Sequence, residues 1–485
     1  MHQPHDATRR APMFEHTGAA PVPGADRKSR LSNVVAVFTG GNFWWGAVLY
    51  SWILAQLGLS FWQTISAALL GALAGACAAG PIAGVSLKTA TNLPVASSAF
   101  FGARGRFIGT GISLVIALVY TALTVWTSGD AIVATTHRWL GTADGPAQYA
   151  LGYAFVAGII LTVAVLGHHV IVRAQRFLAP VSAILLILGA LAFFPMFDPT
   201  PVVAEYALGS AWPTWMLGFT IAFSGPISYG PMTGDYVRYL SPARYSEKQV
   251  GATLAASLFI AEFIPVVVGA VLAYSLHGAA GISFLPELIA AAPEWYILPI
   301  LLVAISGGFG QGVMGLYATG LDLSAILPRL SRVTTTLLSG ALAIALLFVG
   351  AFVFDLATSV EAVAVLLGAI TAPWIVVMLV GHVSRGTIPY DTAGLHSALS
   401  GDRAGRYWYR AGWNLPAVAC WALGAAFGVS AINTEIFTGP LAGAFGGVDL
   451  SILGAMLVSA IAATAARSRL LPATPGVSSE HRIAA

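Results

Sequence analysis

Apolar stretches of about 20 residues, enough to cross a hydrocarbon core of roughly 30 Å, recur from Val34 to about residue 466 with short polar breaks between them. The runs at 181–194 and 341–354 carry no charge and, apart from Ser182, no polar side chain. A closed barrel would show short segments alternating apolar and polar residues, so the pattern predicts helices. They are expected near 34–57, 61–83, 107–135, 148–167, 177–197, 213–233, 250–276, 296–322, 333–354, 360–382, 413–430 and 448–466. The expected fold class is an all-α membrane protein of twelve transmembrane helices. Residues 1–32 read as a disordered cytoplasmic tail, 33–466 as the transmembrane domain and 467–485 as a second cytoplasmic tail.

Composition agrees with the pattern. Hydrophobic residues make up 57% of the 485 and charged residues only 9%, against about a quarter in a soluble domain. Lipid is therefore the expected main solvent. The polar N-terminal stretch has no apolar core with a cleavage site and does not read as a signal peptide. The two cysteines, Cys77 and Cys420, lie in apolar segments and read as small packing residues rather than disulfide or metal ligands.

Charge sets the orientation. With the N-terminus inside, every Lys and Arg except Arg138 falls on one side, the asymmetry that places both termini in the cytoplasm of a cell whose inner membrane the chain spans. Nucleic-acid binding would need those residues clustered on one folded face with aromatics between them, and they are spread over short loops. The loop at 383–412 is the longest internal polar stretch, with room for a surface helix.

Two predicted helices carry residues that break a helix: GGNFWWG (40–46) in the first and SGPISYGP (224–231) in the sixth. Counting five helices from the first break reaches the second. Matching interruptions in consecutive five-helix halves point to an inverted-repeat carrier with its site near the midplane, where freed backbone groups line a cavity. A channel would need a repeated filter or charged rings, and an enzyme a nucleophile with its base or an HExxH array. The sequence offers neither.

Several segments carry a family resemblance: AFFGARGRFIG (99–109), VYTALTVWTSGDA (119–131), GDYVRYL (234–240), LYATGLDLS (316–324), YWYRAGWNLPAVACWALG (407–424) and FTGPLAGAFGGVDLS (437–451). In this order they resemble the nucleobase:cation symporter-1 family, the purine and cytosine permeases. The resemblance implies a LeuT-type arrangement, helices 1–5 and 6–10 as inverted repeats with helices 11 and 12 peripheral. The chain departs from many members at Ser97 and Ser98, where they carry Arg. It departs again at GGFGQGVMG (307–315), where they carry hydroxyl side chains that suit sodium, so H⁺ and Na⁺ both stay open as coupling ion.

A planar heterocycle presents π faces and an edge of donors and acceptors, so its pocket needs aromatic walls and amides. The substrate-binding candidates are Asn42, Phe43, Trp44 and Gly46 in the first break, Tyr120 and Thr124 on one face of helix 3, Ser228 and Tyr229 in the second break, and Gln311 of helix 8. The resemblance assigns stacking to Tyr120 and Tyr229 and edge hydrogen bonds to Asn42 and Gln311. A sodium ion would sit between the first break and helix 8, at Gly46 and Gly310.

Ionisable residues within spans are functional candidates because an isolated charge at the bilayer centre costs roughly 2.5–3.5 kcal/mol on insertion scales. Glu262, deep in helix 7, is the leading proton site, and Asp130 is placed in the outward vestibule. Asp235 and Arg238 read as a gate or anchoring ion pair. His168 and His169 read as interfacial loop residues, no metal site is expected, and the role of His382 is open. The resulting expectation is a symporter, with no organic cofactor and with its oligomeric state open, a monomer included. It imports a nucleobase or a related heterocycle by alternating access, with allantoin or a hydantoin, a vitamin precursor or an amino acid as alternative cargo.

Overall fold

The computed structural model describes residues 18–277, 284–327, 329–352, 356–399, 401–434 and 436–472. Residues 1–17 and 473–485 of the two expected tails lie outside the described residues. Among the described residues the protein is helical, with two isolated bridges and no strand. Eight helices are long and apolar enough to cross a membrane, and two shorter ones, Leu415–Ser430 and Ser451–Ala465, are also apolar.

The first predicted helix is two: α1 (Leu31–Asn42) and α2 (Trp45–Gln56), separated by Phe43 and the extended Trp44. Next comes α3 (Phe61–Ala79), started by a capping box in which Ser60 and Gln63 bond each other's backbone amides. The long α4 (Arg106–Leu140) is followed by α5 (Pro146–Leu166) and α6 (His168–Phe193). Only Gly167 separates α5 from α6, at a φ of +89° that suits glycine, so the expected loop at 168–176 is helix instead.

The helix α7 (Ala211–Tyr229) runs through Pro226 and loosens into a 3₁₀ turn only at Gly230–Met232. The second break therefore lies later than SGPISYGP suggests. The hydroxyls of Ser224 and Ser228 donate back to the Ile221 and Ser224 carbonyls on either side of the proline. Then follow α8 (Glu247–Leu276), with a Ser246–Gln249 capping box, and α9 (Glu294–Gly307), which passes through a π-helical turn at Gly308–Gly312 into α10 (Val313–Ile326). The remaining helices are α11 (Arg332–Phe352), α12 (Leu356–Arg385), the short α13 (Thr392–Leu399) in the long polar loop, α14 (Leu415–Ser430) and α15 (Ser451–Ala465).

Small residues set the packing, as expected where lipid gives helices no hydrophobic reason to associate. Gly71 and Gly75 of α3 lie against the backbone of α7, where a Cβ at Gly75 would come 2.5 Å from the Phe223 carbonyl. Gly428 of α14 does the same against α15, with Ala455 Cβ and the Ser451 carbonyl both 2.9 Å from its missing Cβ. The loop before α4 is fixed by the polar stretch after α13: Arg104 N donates to Gly412 O at 2.7 Å and Asn414 Nδ2 to Phe100 O at 2.7 Å.

Candidate functional site

The breaks bring α1, α2, α4, α7, α8 and the π-helical turn to one buried place. Tyr229, at the end of α7, stacks on Tyr120 of α4 with centroids 5.8 Å apart and ring planes 17° from parallel. Its hydroxyl lies 2.9 Å from Asn42 Oδ1 at the end of α1 and 2.7 Å from Gln311 Oε1 in the π-helical turn. One hydroxyl proton cannot serve two acceptors. Turning one amide over lets its NH₂ donate to Tyr229 Oη while the hydroxyl donates to the other amide, which orders the three groups into a chain. The other NH₂ hydrogens of Asn42 and Gln311 have no partner among the described residues.

Glycines make room for these side chains. A Cβ on Gly41 would touch Met314 and approach Gln311 Oε1 to 3.5 Å, and one on Gly225 would come 2.7 Å from a Glu262 carboxylate oxygen. Glu262 of α8 is buried, faces Gly225 and lies beside the Asn42 amide. The Tyr120 hydroxyl sits 3.4 Å from that of Tyr50, with Ser228 alongside. Tyr50, Tyr120, Val119, Leu123, Val360 and Leu367 line an apolar cleft between α4 and α12 that reaches the stacked pair.

Other sequence candidates are placed less centrally. Thr124 is buried and donates to the Tyr120 carbonyl at 2.6 Å, with its methyl towards Gly308. Trp44 packs in the core that holds Tyr120 and Tyr229, its ring covering Gly46 and its Cβ against Gly307. Phe43 turns away into a second cluster with Trp45 and Trp52. Gly310 lies against the Gly40 carbonyl. Asp130 accepts from Tyr153 Oη at 2.8 Å, ten residues and about 15 Å along α4 from Tyr120, so the structure does not bring it to the stacked pair.

Asp235 and Arg238 are both buried, beyond the 3₁₀ turn that ends α7. Arg238 donates to Gly18 O at 2.8 Å and to Tyr317 Oη at 3.2 Å. From Gly18 onward the N-terminal segment lies against this end of the helices, with Val22 N bonding Ala90 O and Ser29 N bonding Tyr239 O. His168 is buried and stacks on Tyr239 at 3.9 Å, rather than lying in an interfacial loop. His382 bridges Glu247 Oε2 and Tyr390 Oη, each at 2.7 Å, and Lys88 holds the other Glu247 oxygen at 3.3 Å.

Three residues of this region escaped sequence reasoning. Tyr50 looks like any aromatic on an apolar helix. Asp322, fully buried beside Asp235 and Ser113, was hidden in LYATGLDLS, although a carboxyl there was visible as an ionisable group within a span. Gln175 was assigned to a loop. No three His, Cys, Asp or Glu side chains come together as a metal site among the described residues.

Residues 21–453 match the family described as permease for cytosine/purines, uracil, thiamine, allantoin. The chain belongs to this family. It is a multi-pass membrane transporter and not an enzyme. No curated protein sequence matches the permease. Among solved structures it is similar to Mhp1, a nucleobase-cation-symport-1 family transporter, in a closed conformation with bromovinylhydantoin bound. That match has 17% identity and a TM-score of 0.73, covering 93% of this chain and 95% of the other. An inward-facing conformation of Mhp1 matches with a TM-score of 0.71 at the same identity, over 94% and 95% of the two chains. A Na⁺-coupled sialic acid symporter in a substrate-bound outward-open state matches at 14% identity and a TM-score of 0.54, over 94% and 92%. At these identities the likeness is one of fold, the LeuT-type fold of these transporters.

Proposed function

We propose that the permease is a symporter that imports a planar, uncharged nitrogen heterocycle, of the nucleobase or hydantoin class, across the inner membrane by alternating access. The observation that carries the reading is the Tyr120–Tyr229 stack with two amides on the Tyr229 hydroxyl. Each amide offers an oxygen beside an NH₂, the complement of the alternating N–H and C=O edge of such a ring. An amino acid, by contrast, needs charged partners or helix ends for its termini, and the groups gathered here are neutral apart from Glu262. Family membership and the fold shared with hydantoin-bound Mhp1 support the same class of cargo.

A ring inserted between two tyrosines at contact distances of about 3.5 Å on each face needs them about 7 Å apart. At 5.8 Å the pair is closed on itself. In this reading substrate arrives when the tyrosines part to admit its ring, and its edge replaces the Tyr229 hydroxyl on at least one amide. Glu262 beside Asn42 then couples a proton to the occupied edge, while Trp44 walls one end. Asp235 and Arg238 close the inner side. The architecture in this reading is twelve spans, α1–α2 and α7 opening the two inverted repeats and α14–α15 peripheral, with both termini cytoplasmic.

The test is radiolabelled uptake of cytosine, uracil, adenine, hypoxanthine, allantoin and a hydantoin into cells expressing the chain, with and without a protonophore. Saturable uptake of one that collapses with the gradient supports the reading. Uptake of none of them, from protein shown to be in the membrane, refutes the cargo class.

A further inference from the structure

Gln175 is fully buried on α6, and neither its Oε1 nor its Nε2 has a hydrogen-bond partner among the described residues. It lies where two glycines leave space. A Cβ on Gly40 would collide with Oε1, and one on Gly310 would stand 2.9 Å from Nε2. The Gly40 carbonyl oxygen is aimed at the same point beside Gly310. Because Trp44 is extended, its amide does not turn back to that carbonyl as a continuing helix would require. The amide thus fills the junction of the α1 break and the π-helical turn.

A backbone oxygen freed by a helix break is what a transporter uses to coordinate sodium. Nearby hydroxyls bond elsewhere and leave the Gly40 carbonyl to other donors: Ser128 Oγ donates to Ala304 O at 2.8 Å, and Ser182 and Ser306 pair at 2.7 Å. The π-helical glycines supply no side-chain oxygen. An NH₂ group carries two donors, and a small shift that brought Nε2 onto the freed Gly40 carbonyl would satisfy it as a cation would. A cation and those N–H groups repel, so one excludes the other.

We propose that the Gln175 amide stands in the cation position between the α1 break and the π-helical turn, so that this permease moves its substrate without sodium. The consequence for coupling rests on the symporter reading above, but the sodium test needs no substrate. Turned over, the same amide would present Oε1 to a cation. The two orientations give opposite sodium responses.

The experiment is thermal unfolding of the purified full chain in sodium chloride against choline chloride at equal ionic strength, for the wild type, Gln175→Ala and Gln175→Ser. Two variants are used because either alone can fail to fold. The expected result is no difference for the wild type, and stabilisation by sodium of about 2 °C or more in a variant whose freed carbonyls now accept the ion. Sodium stabilisation of the wild type overturns the proposal, since the amide would then be a ligand. So does a wild type and two folded variants that all ignore sodium, since Gln175 would not be what excludes it. If instead no heterocycle is taken up but these sodium responses hold, the cargo assignment fails and the role of Gln175 stands.

Discussion

Tyr229 offers a test that separates stacking from hydrogen bonding. Its hydroxyl sits 2.9 Å from Asn42 Oδ1 and 2.7 Å from Gln311 Oε1, so in the closed protein it holds amides that substrate must reach. Tyr229→Phe keeps the ring and removes this competitor. A net hydrogen bond contributes about 0.5–1.5 kcal/mol, so freeing the amides should leave substrate affinity undiminished and tighten it by up to about 2- to 12-fold. Tyr229→Ala instead removes one face of the stack. Base–aromatic stacking is worth about 1–3 kcal/mol, so affinity should fall by about 5- to 150-fold. Equilibrium binding of the transported heterocycle to purified protein measures both. If Tyr229→Phe weakens binding as much as Tyr229→Ala, the hydroxyl contacts substrate directly and the competition argument is refuted.

Other substitutions probe separate parts of the structure. Glu262→Gln should retain substrate exchange across proteoliposomes but lose accumulation driven by an imposed pH gradient; retained accumulation removes Glu262 from coupling. Gly75→Leu must displace α3 from the Phe223 carbonyl, 2.5 Å from the missing Cβ, and should destabilise the protein by about 1–3 kcal/mol, visible as a lower melting temperature in detergent. Asn414→Ala removes donations to Phe100, Arg469 and Leu470 carbonyls at 2.7, 3.1 and 3.2 Å, and should cost about 1–3 kcal/mol in the same assay. An unchanged melting temperature would mean that water replaces the amide there.

The helical frame was legible because its signal is long and redundant. A run of twenty apolar residues survives errors of several positions, and the GGNFWWG break fell where the glycines and the bulky aromatics placed it. The family likeness singled out Tyr120 and Tyr229 to stack on substrate and Asn42 and Gln311 to bond its edge; the structure gathers these four side chains together, while their roles towards substrate belong to the proposal. The second break was less legible. Pro226 signals an interruption, but a proline removes a single i→i−4 bond, and the helix runs on for three residues past it, to Tyr229. The π-helical turn left no periodic trace in a stretch where Gly307, Gly308, Gly310 and Gly312 carry no side chain to show a face.

Gln175 shows why a boundary drawn from charge can hide a buried group. Arg173 and Arg176 flank it, and two arginines within four residues read as a loop at the membrane surface. In the structure they are exposed on α6, where long side chains carry their charges outward, while Gln175, two residues from one and one from the other, is buried. Successive residues of a helix point about 100° apart, so charged neighbours say nothing about the face between them. Gln311 was recognised because it stood alone among glycines and apolar residues. The two amides differ in their sequence surroundings and not in their burial, which is complete for both. An amide with unpaired atoms at such depth costs about 1–3 kcal/mol for each group left unsatisfied, a penalty that Gln311 relieves at one end through Tyr229 and Gln175 can relieve only by pairing at the junction it fills.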